Sequence, residues 1–358
     1  MSKSLRYGVI GAGMMGCEHI RNLLVLPDTE VVAIADPHAA SQKNAKQLVP
    51  NVVIYDDYRE MLKNENLDVA VIATPNFHHR AVLEDVLQTG MHVLVEKPLC
   101  ISVDECRQII EIEQQTFKVG RVVWVGLEYR YMAPTARLLS EIRSGVSGAV
   151  QMIAIREHRF PFLQKVDNWN RLSAKTGGTL VEKCCHFFDL MSLIAQSNAV
   201  AVFATGAQDV NHLDEIHDGK KSDILDNAFV IVDFENGIRG MLDLSMFAEG
   251  SKNEQEISVV GSLGKIEALV TESVIRVGVR SGGAIGVQEH KVLQDNGVVA
   301  GFHAGASYVE HQKMQRAIRS GALAEVSLQD GLKSVAIGQA AHLSIAEKRR
   351  VQLAELLM

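Results

Sequence analysis

The stretch GGTLVEKCCHFFD, residues 177–189, gathers two vicinal cysteines, a histidine, two carboxylates and a lysine in a run otherwise apolar enough to be buried. Three chemistries draw on such residues: zinc ligation by thiolate and imidazole, a redox dithiol, and acid–base work on one helix face. Zinc needs convergent ligands at set spacings, and no second Cys/His pair matches Cys184 and Cys185. A dithiol wants C-x-x-C near a helix start, whereas these cysteines are adjacent. If 180–195 is helical, Glu182, His186 and Asp189 fall at i, i+4 and i+7 and share a face that the two cysteines leave. The structural alternative is a buried histidine satisfied by a neighbouring carboxylate. No metal is expected.

A second constellation lies at the start of the chain. GVIGAGMMGCEHI supplies Gly11, Gly13 and Gly16 in G-x-G-x-x-G spacing, after an apolar run and before an amphipathic one. The first glycine permits a tight turn, the second lets backbone approach a pyrophosphate, and the third permits close helix–strand packing. Amides at the following helix start, at Met14 and Met15, then face the phosphates. Asp36 ends the second apolar run 20 residues after Gly16, where a carboxylate suits the ribose hydroxyls of NAD and repels a 2′-phosphate. His38 and Lys43 could soften that repulsion, so NADP stays open.

These groups need elements to position them. From Leu5 to about Leu127, RYGVIGAG, EVVAIAD, VVIYDD, LDVAVIATP, HVLVEKP and RVVWVGLEY alternate with helical segments such as RAVLEDVLQTG and SVDECRQIIEIEQQ. The runs are nearly continuously apolar, as strands buried on both faces must be. The alternation predicts an α/β protein with an N-terminal doubly wound parallel sheet of Rossmann type. Its C-terminal strand edge, where such sheets hold ligands, carries Thr74-Pro75 and Glu96-Lys97-Pro98. After a helix PTARLLSEIRSG, stopped at Gly145, the rhythm changes. AVAVFATGAQ, NAFVIVDF, GIRGMLDLSMF, EISVVGS and GKIEALV are close-spaced strands, with a hairpin signal at Asn236-Gly237. They predict a C-terminal α+β domain with a large open, mainly antiparallel sheet. HLDEIHDGKKSD reads as a surface loop and YVEHQKMQRAIRSG as a helix ending at Gly321. The expected domains are 1–128 and 129–358.

Bulk properties exclude several classes. With 47% hydrophobic and 22% charged residues, the 358-residue chain is ordinary globular protein of two domains. A net charge of −7 with no basic stripe argues against a nucleic-acid partner, and no run is long enough for a membrane span. Five cysteines without a disulfide-like framework, and an N-terminal run that reads as a first strand rather than a signal peptide, lead us to expect a cytoplasmic protein.

ATPNFHH, EKPL, YRYMAP, a Trp-x-Arg followed by a double glycine, and the 177–189 histidine segment, in this order, resemble the Gfo/Idh/MocA family of sugar and cyclitol oxidoreductases. The resemblance spans nearly the whole chain. It implies that Lys97 contacts cofactor and substrate hydroxyl and that His186 transfers the proton. It also implies that Thr74, Asn76, His79 and Glu96 line the nicotinamide side, and that Trp169 and Arg171 belong to a loop covering the cofactor. Glu182 stands where the family has Asp, and Cys184 where it often has Gly, which puts the substrate's size and tilt in question. The 177–189 stretch then reads as a catalytic helix whose cysteines are packing. The expected reaction is NAD-dependent oxidation of a secondary alcohol of a sugar, sugar derivative or inositol-like cyclitol. His186 takes the proton, Lys97 stabilises the alkoxide, and Glu182 orients the histidine or a substrate hydroxyl. Arg130, Tyr131, His158, Arg159, Asn168 and His303 are candidates to grip a polyol. A redox-neutral, NAD-dependent glycoside-cleaving enzyme and a non-catalytic sugar sensor remain alternatives. A homodimer or homotetramer through the C-terminal sheet is expected.

Overall fold

The computed structural model describes residues 3–293 and 303–357. The chain forms two compact units, Met1–Glu128 with Lys165–Asp167 and Asn296–Leu332, and Tyr129–Gln164 with Asn168–Asp295 and Lys333–Met358. The change of rhythm after residue 128 is thus visible in the sequence, but the late segment rejoins the first unit.

In the first unit, β1 (Leu5–Ile10), β2 (Thr29–Ala35), β3 (Val53–Tyr55), β4 (Val69–Ile72), β5 (His92–Glu96) and β6 (Val123–Gly126) form a parallel sheet. Its order, β3-β2-β1-β4-β5-β6, is doubly wound. All of β4 is fully buried, as its unbroken apolar sequence requires. Between the strands run α1 (Met14–Val25), α2 (Ala39–Leu48), α3 (Tyr58–Asn64), α4 (His79–Thr89) and α5 (Val103–Gln115). Ser102 caps α5, and Gly90 closes α4 in the left-handed region.

The second unit opens with α6 (Ala133–Arg143), which has proline in its first turn and is followed by Gly145 at φ 81°. Then come β7 (Val150–His158), the short α7 (Ser173–Thr176) and α8 (Thr179–Glu182), α9 (Cys185–Ala195) and β8 (Ala199–Ala207). The polar stretch expected as a loop contains a small antiparallel ribbon, β9 (Ile216–His217) with β10 (Lys220–Lys221). Glu215 organises it, accepting from His212 and His217 at 2.7 Å each.

The strands β11 (Asn227–Phe234), β12 (Arg239–Ser245), β13 (Gln255–Gly261), β14 (Gly264–Leu269), β15 (Val274–Val279), β16 (Gln288–Lys291) and β17 (Val351–Gln352) complete a nine-stranded sheet. Its order is β16-β15-β14-β13-β7-β12-β11-β8-β17, and every pairing except β12 with β7 is antiparallel. Gly237 turns the β11–β12 hairpin at φ 84°, as Asn-Gly predicts. One face packs on α6 and α9; the other leaves Phe203, Phe229, Ile231, Met241 and Met152 exposed.

The late helix α10 (Ala306–Ser320) belongs to the first unit for a visible reason. It packs on α1 and β6, and Glu310 accepts from the Trp124 indole at 3.0 Å. The next helix, α11 (Leu328–Glu347), has its later turns in the second unit. Among the described residues no helix is long and apolar enough to cross a membrane.

Candidate active site

The glycine loop divides its labour as the spacing predicts. Gly11 has φ +91°, and a Cβ there would lie 2.6 Å from the Ala73 carbonyl oxygen. At Gly16 a Cβ would be 1.9 Å from the Gly11 oxygen, so only glycine lets α1 start this close to β1. A Cβ on Gly13 would meet nothing within 4 Å, which leaves the space a phosphate needs. No side chain caps the first turn of α1 and no acid stands in it, so the amides around Met14 and Met15 suit an anion. Asp36 accepts from Ala12 N–H at 2.7 Å and His38 N–H at 2.8 Å, which holds its carboxylate beside the loop. This donor set fits the pyrophosphate and adenosine ribose of NAD.

The ends of β4 and β5 are joined through His79. One ring nitrogen lies 2.8 Å from the Pro98 carbonyl oxygen and the other 3.0 Å from that of Thr74. His79 is fully buried, so it shapes the site by holding two backbone segments. Asn76 is buried beside it in the turn before α4, while Thr74 and Lys97 are half-buried.

Behind Lys97 lies a polar network that the sequence analysis did not single out. Glu96 accepts from Lys97 N–H at 3.0 Å and from His19 Nε2 at 2.9 Å, and His19 Nδ1 lies 2.9 Å from His311 Nε2. Burial alone would raise the Glu96 carboxyl, but the hydrogen bond and charge of His19, with the charge of Lys97, hold it at about 2. Burial, and then the neighbouring His19 charge, pushes His311 well down, so it stays neutral. Glu128 is pushed well up by burial and by the charges of Glu96 and Glu310. His303 sits in this first unit, 3.2 Å from Glu128 and 3.8 Å from Glu18, and not among second-domain residues as expected. The missed signal was His19 itself, three residues beyond Gly16 on the buried side of α1.

In the second unit the 180–195 segment is not one helix. α8 ends at Glu182, Lys183 and Cys184 form a turn, and α9 starts at Cys185. The simple i, i+4, i+7 face is therefore broken, although Glu182, His186 and Asp189 are all buried. Gly178 explains the tight entry: a Cβ there would lie 2.4 Å from the His342 ring, whose Nε2 accepts from Leu180 N–H at 3.0 Å. Asp189 is engaged by Arg130, with Nε at 2.6 Å and Nη2 on its other oxygen. Arg130 thus anchors α9 to the 3-10 turn Glu128–Tyr131. The His186 ring lies flat on Tyr129. Cys184 and Cys185 are buried, and among the described residues no cluster of His, Cys, Asp or Glu could hold a metal ion.

The remaining expected residues are more dispersed. Arg171 is buried, donating to Glu215 at 3.0 Å and to the Phe162 carbonyl at 3.2 Å. Trp169 and Asn168 share its 3-10 turn and are half-buried, and Tyr131 is buried. His158 is 3.0 Å from Asp243, and Arg159 donates to Glu157 at 3.4 Å.

Comparison with known proteins covers almost the entire chain. Residues 5–127 match the model described as "Oxidoreductase family, NAD-binding Rossmann fold", and residues 140–353 match its "C-terminal alpha/beta domain". The myo-inositol 2-dehydrogenase of Thermotoga maritima is 28% identical over 355 residues, 99% of this chain and 100% of that protein. The inositol 2-dehydrogenase of Corynebacterium glutamicum is 29% identical over 247 residues, covering 69% of this chain and 68% of its own. A levoglucosan dehydrogenase solved with NADH and levoglucosan has the same fold, with TM-score 0.86 at 19% identity, covering 98% of this chain and 100% of that one.

Proposed function

The chain belongs to the Gfo/Idh/MocA family of NAD-binding oxidoreductases, and from that premise we propose that it oxidises one secondary hydroxyl of an inositol-like cyclitol or related sugar to the ketone. The observation that carries this reading is the end-to-end similarity to a myo-inositol 2-dehydrogenase. Bound NAD supplies the hydride acceptor. Lys97, just past the C-terminal end of β5, holds its ammonium against the developing alkoxide, and Glu96, bonded to Lys97 N–H and His19, fixes that end of the strand. His186 takes the hydroxyl proton, since an imidazole exchanges protons near neutral pH. Glu182, one methylene longer than aspartate, orients the imidazole or an adjacent substrate hydroxyl. Asp36 favours NAD over NADP by repelling a 2′-phosphate.

A panel of inositols, aldoses and glycosides, offered with NAD or NADP and followed at the nicotinamide absorbance, tests this. NADH formation on a cyclitol or free sugar supports it. Glycoside cleavage without NADH accumulation would favour the redox-neutral alternative, and NAD binding with no turnover on any member would favour the sensor. We further propose that the exposed face of the nine-stranded sheet pairs with a second copy of the chain. Phe203, Ile231 and Met241 are in register on adjacent strands β8, β11 and β12, forming an apolar row across them.

A further inference from the structure

His186 has a neighbour to which neither its sequence segment nor the family reading gives a role. The Tyr129 ring is stacked on the imidazole, centroids 3.8 Å apart and planes within 3°. Tyr129 is 3% exposed and His186 1%, so the stack is sealed from bulk water. Tyr129 is itself held at its far end, where its hydroxyl accepts from Lys183 Nζ at 2.7 Å. Lys183 Nζ also lies 2.9 Å from Glu157, and the two side chains are 6% and 0% exposed. Phe187 crosses the same tyrosine ring edge-on at 5.7 Å.

A buried ion pair is weak evidence for stability, since an apolar replacement often serves as well. What it can do is fix geometry, and here that geometry is a tyrosine ring laid against one imidazole. An imidazole on a broad terminal torsion needs such a constraint to present the same nitrogen every time. A flat aromatic face also favours the cationic form of a ring stacked on it. The neighbouring charges largely offset one another: Lys183 and Arg159 face Glu157, and Arg130 faces Asp189. Glu182 is the further carboxylate in the preceding turn, with the thiols of Cys184 and Cys185 after it and Tyr131 following Arg130.

We propose that Tyr129, anchored by Lys183 and Glu157, is a positioning residue for His186 that fixes the imidazole plane and stabilises its protonated form. This rests on the reading of His186 as the proton acceptor, which His186→Ala tests separately. The test of Tyr129 uses the full chain and two variants. Tyr129→Phe keeps the ring, and Tyr129→Leu removes it. The His186 pKa is read by NMR of the imidazole without substrate, and kcat and KM are read across pH on the best substrate of the panel. Tyr129→Leu is expected to lower the His186 pKa by roughly half a unit or more. It should also cut kcat about ten- to hundredfold with a much smaller change in KM. Tyr129→Phe, which keeps the stacked ring but loses the hydroxyl that accepts from Lys183, should fall between the wild type and Tyr129→Leu on both readouts. Equal damage from the two variants, or an unchanged pKa in Tyr129→Leu, would overturn the proposal. Should the leucine variant not fold, the wild type still decides, because imidazole protons stacked on a ring resonate upfield and random-coil positions would exclude the stack.

Discussion

At the scale of single residues, chemistry falls to a few groups whose surroundings do the tuning. Lys97→Ala and His186→Ala are each expected to lower turnover about 10²–10⁴-fold while leaving NAD affinity within a few-fold, measured by steady-state rates and calorimetric titration. His19 carries a different prediction. A carboxyl held below its ordinary 4.5 stabilises the native state above that pH, and the contribution is lost as pH falls through 4.5 toward about 2. His19→Gln removes the imidazole whose hydrogen bond and charge hold Glu96 down. Its stability deficit, about 3 kcal/mol for breaking a buried pair, should therefore be largest near neutral pH and shrink in acid. Urea melts from pH 7 to pH 3 would show this, and a pH-independent deficit would count against the Glu96–His19 pairing. Lys97 and Glu96 were legible as residues because a charged pair at a strand end is unusual. Tyr129 and His19 were not, because an aromatic and a histidine in an apolar run look like packing until their partners are seen.

Elements decide how closely such groups approach. Gly16→Ala would drive a methyl into the Gly11 carbonyl oxygen 1.9 Å away, so α1 must shift. The expected result is a loss of about 1–3 kcal/mol in stability and at least a tenfold weaker NAD affinity, read by thermal melts with and without cofactor. The α8–α9 break has its own signature through His342. Burial holds this histidine at about 4 against an ordinary 6.5, with the Gly178 backbone and the charge of Asp223 only partly opposing that. A histidine kept neutral in the native state lets stability fall as pH drops from 6.5 to 4, because only the unfolded chain takes the proton there. His342→Gln should flatten that slope. The six parallel strands and the Asn-Gly hairpin were readable because buried strands and tight turns restrict residue type locally. The helix break at Lys183–Cys184 was not, since both residues have helical backbone angles and nothing in their types forbids a continuous helix.

For the whole molecule, the nine-stranded sheet sets the expectation. Phe229→Glu combined with Ile231→Lys places charge on its exposed apolar face without touching the core-facing Ala228, Val230 and Val232. Light scattering after size exclusion should show the wild type as a dimer or tetramer and the double variant as a smaller species with an unchanged melting temperature for the protomer. Wild type running as a monomer would remove the proposed pairing.

Sequence alone determined the class of fold and the cofactor, because alternating apolar runs, three glycines and a strand-end acid each answer to short-range sterics and charge. It also singled out Lys97 and His186 as the residues proposed to handle the alkoxide and the proton. Tertiary structure decided what surrounds them: the return of α10 to the first unit, the Glu96–His19–His311 chain and the tyrosine held flat on His186 by a buried lysine. These join residues dozens to hundreds of positions apart, and such pairings depend on how whole elements pack, which no local pattern encodes.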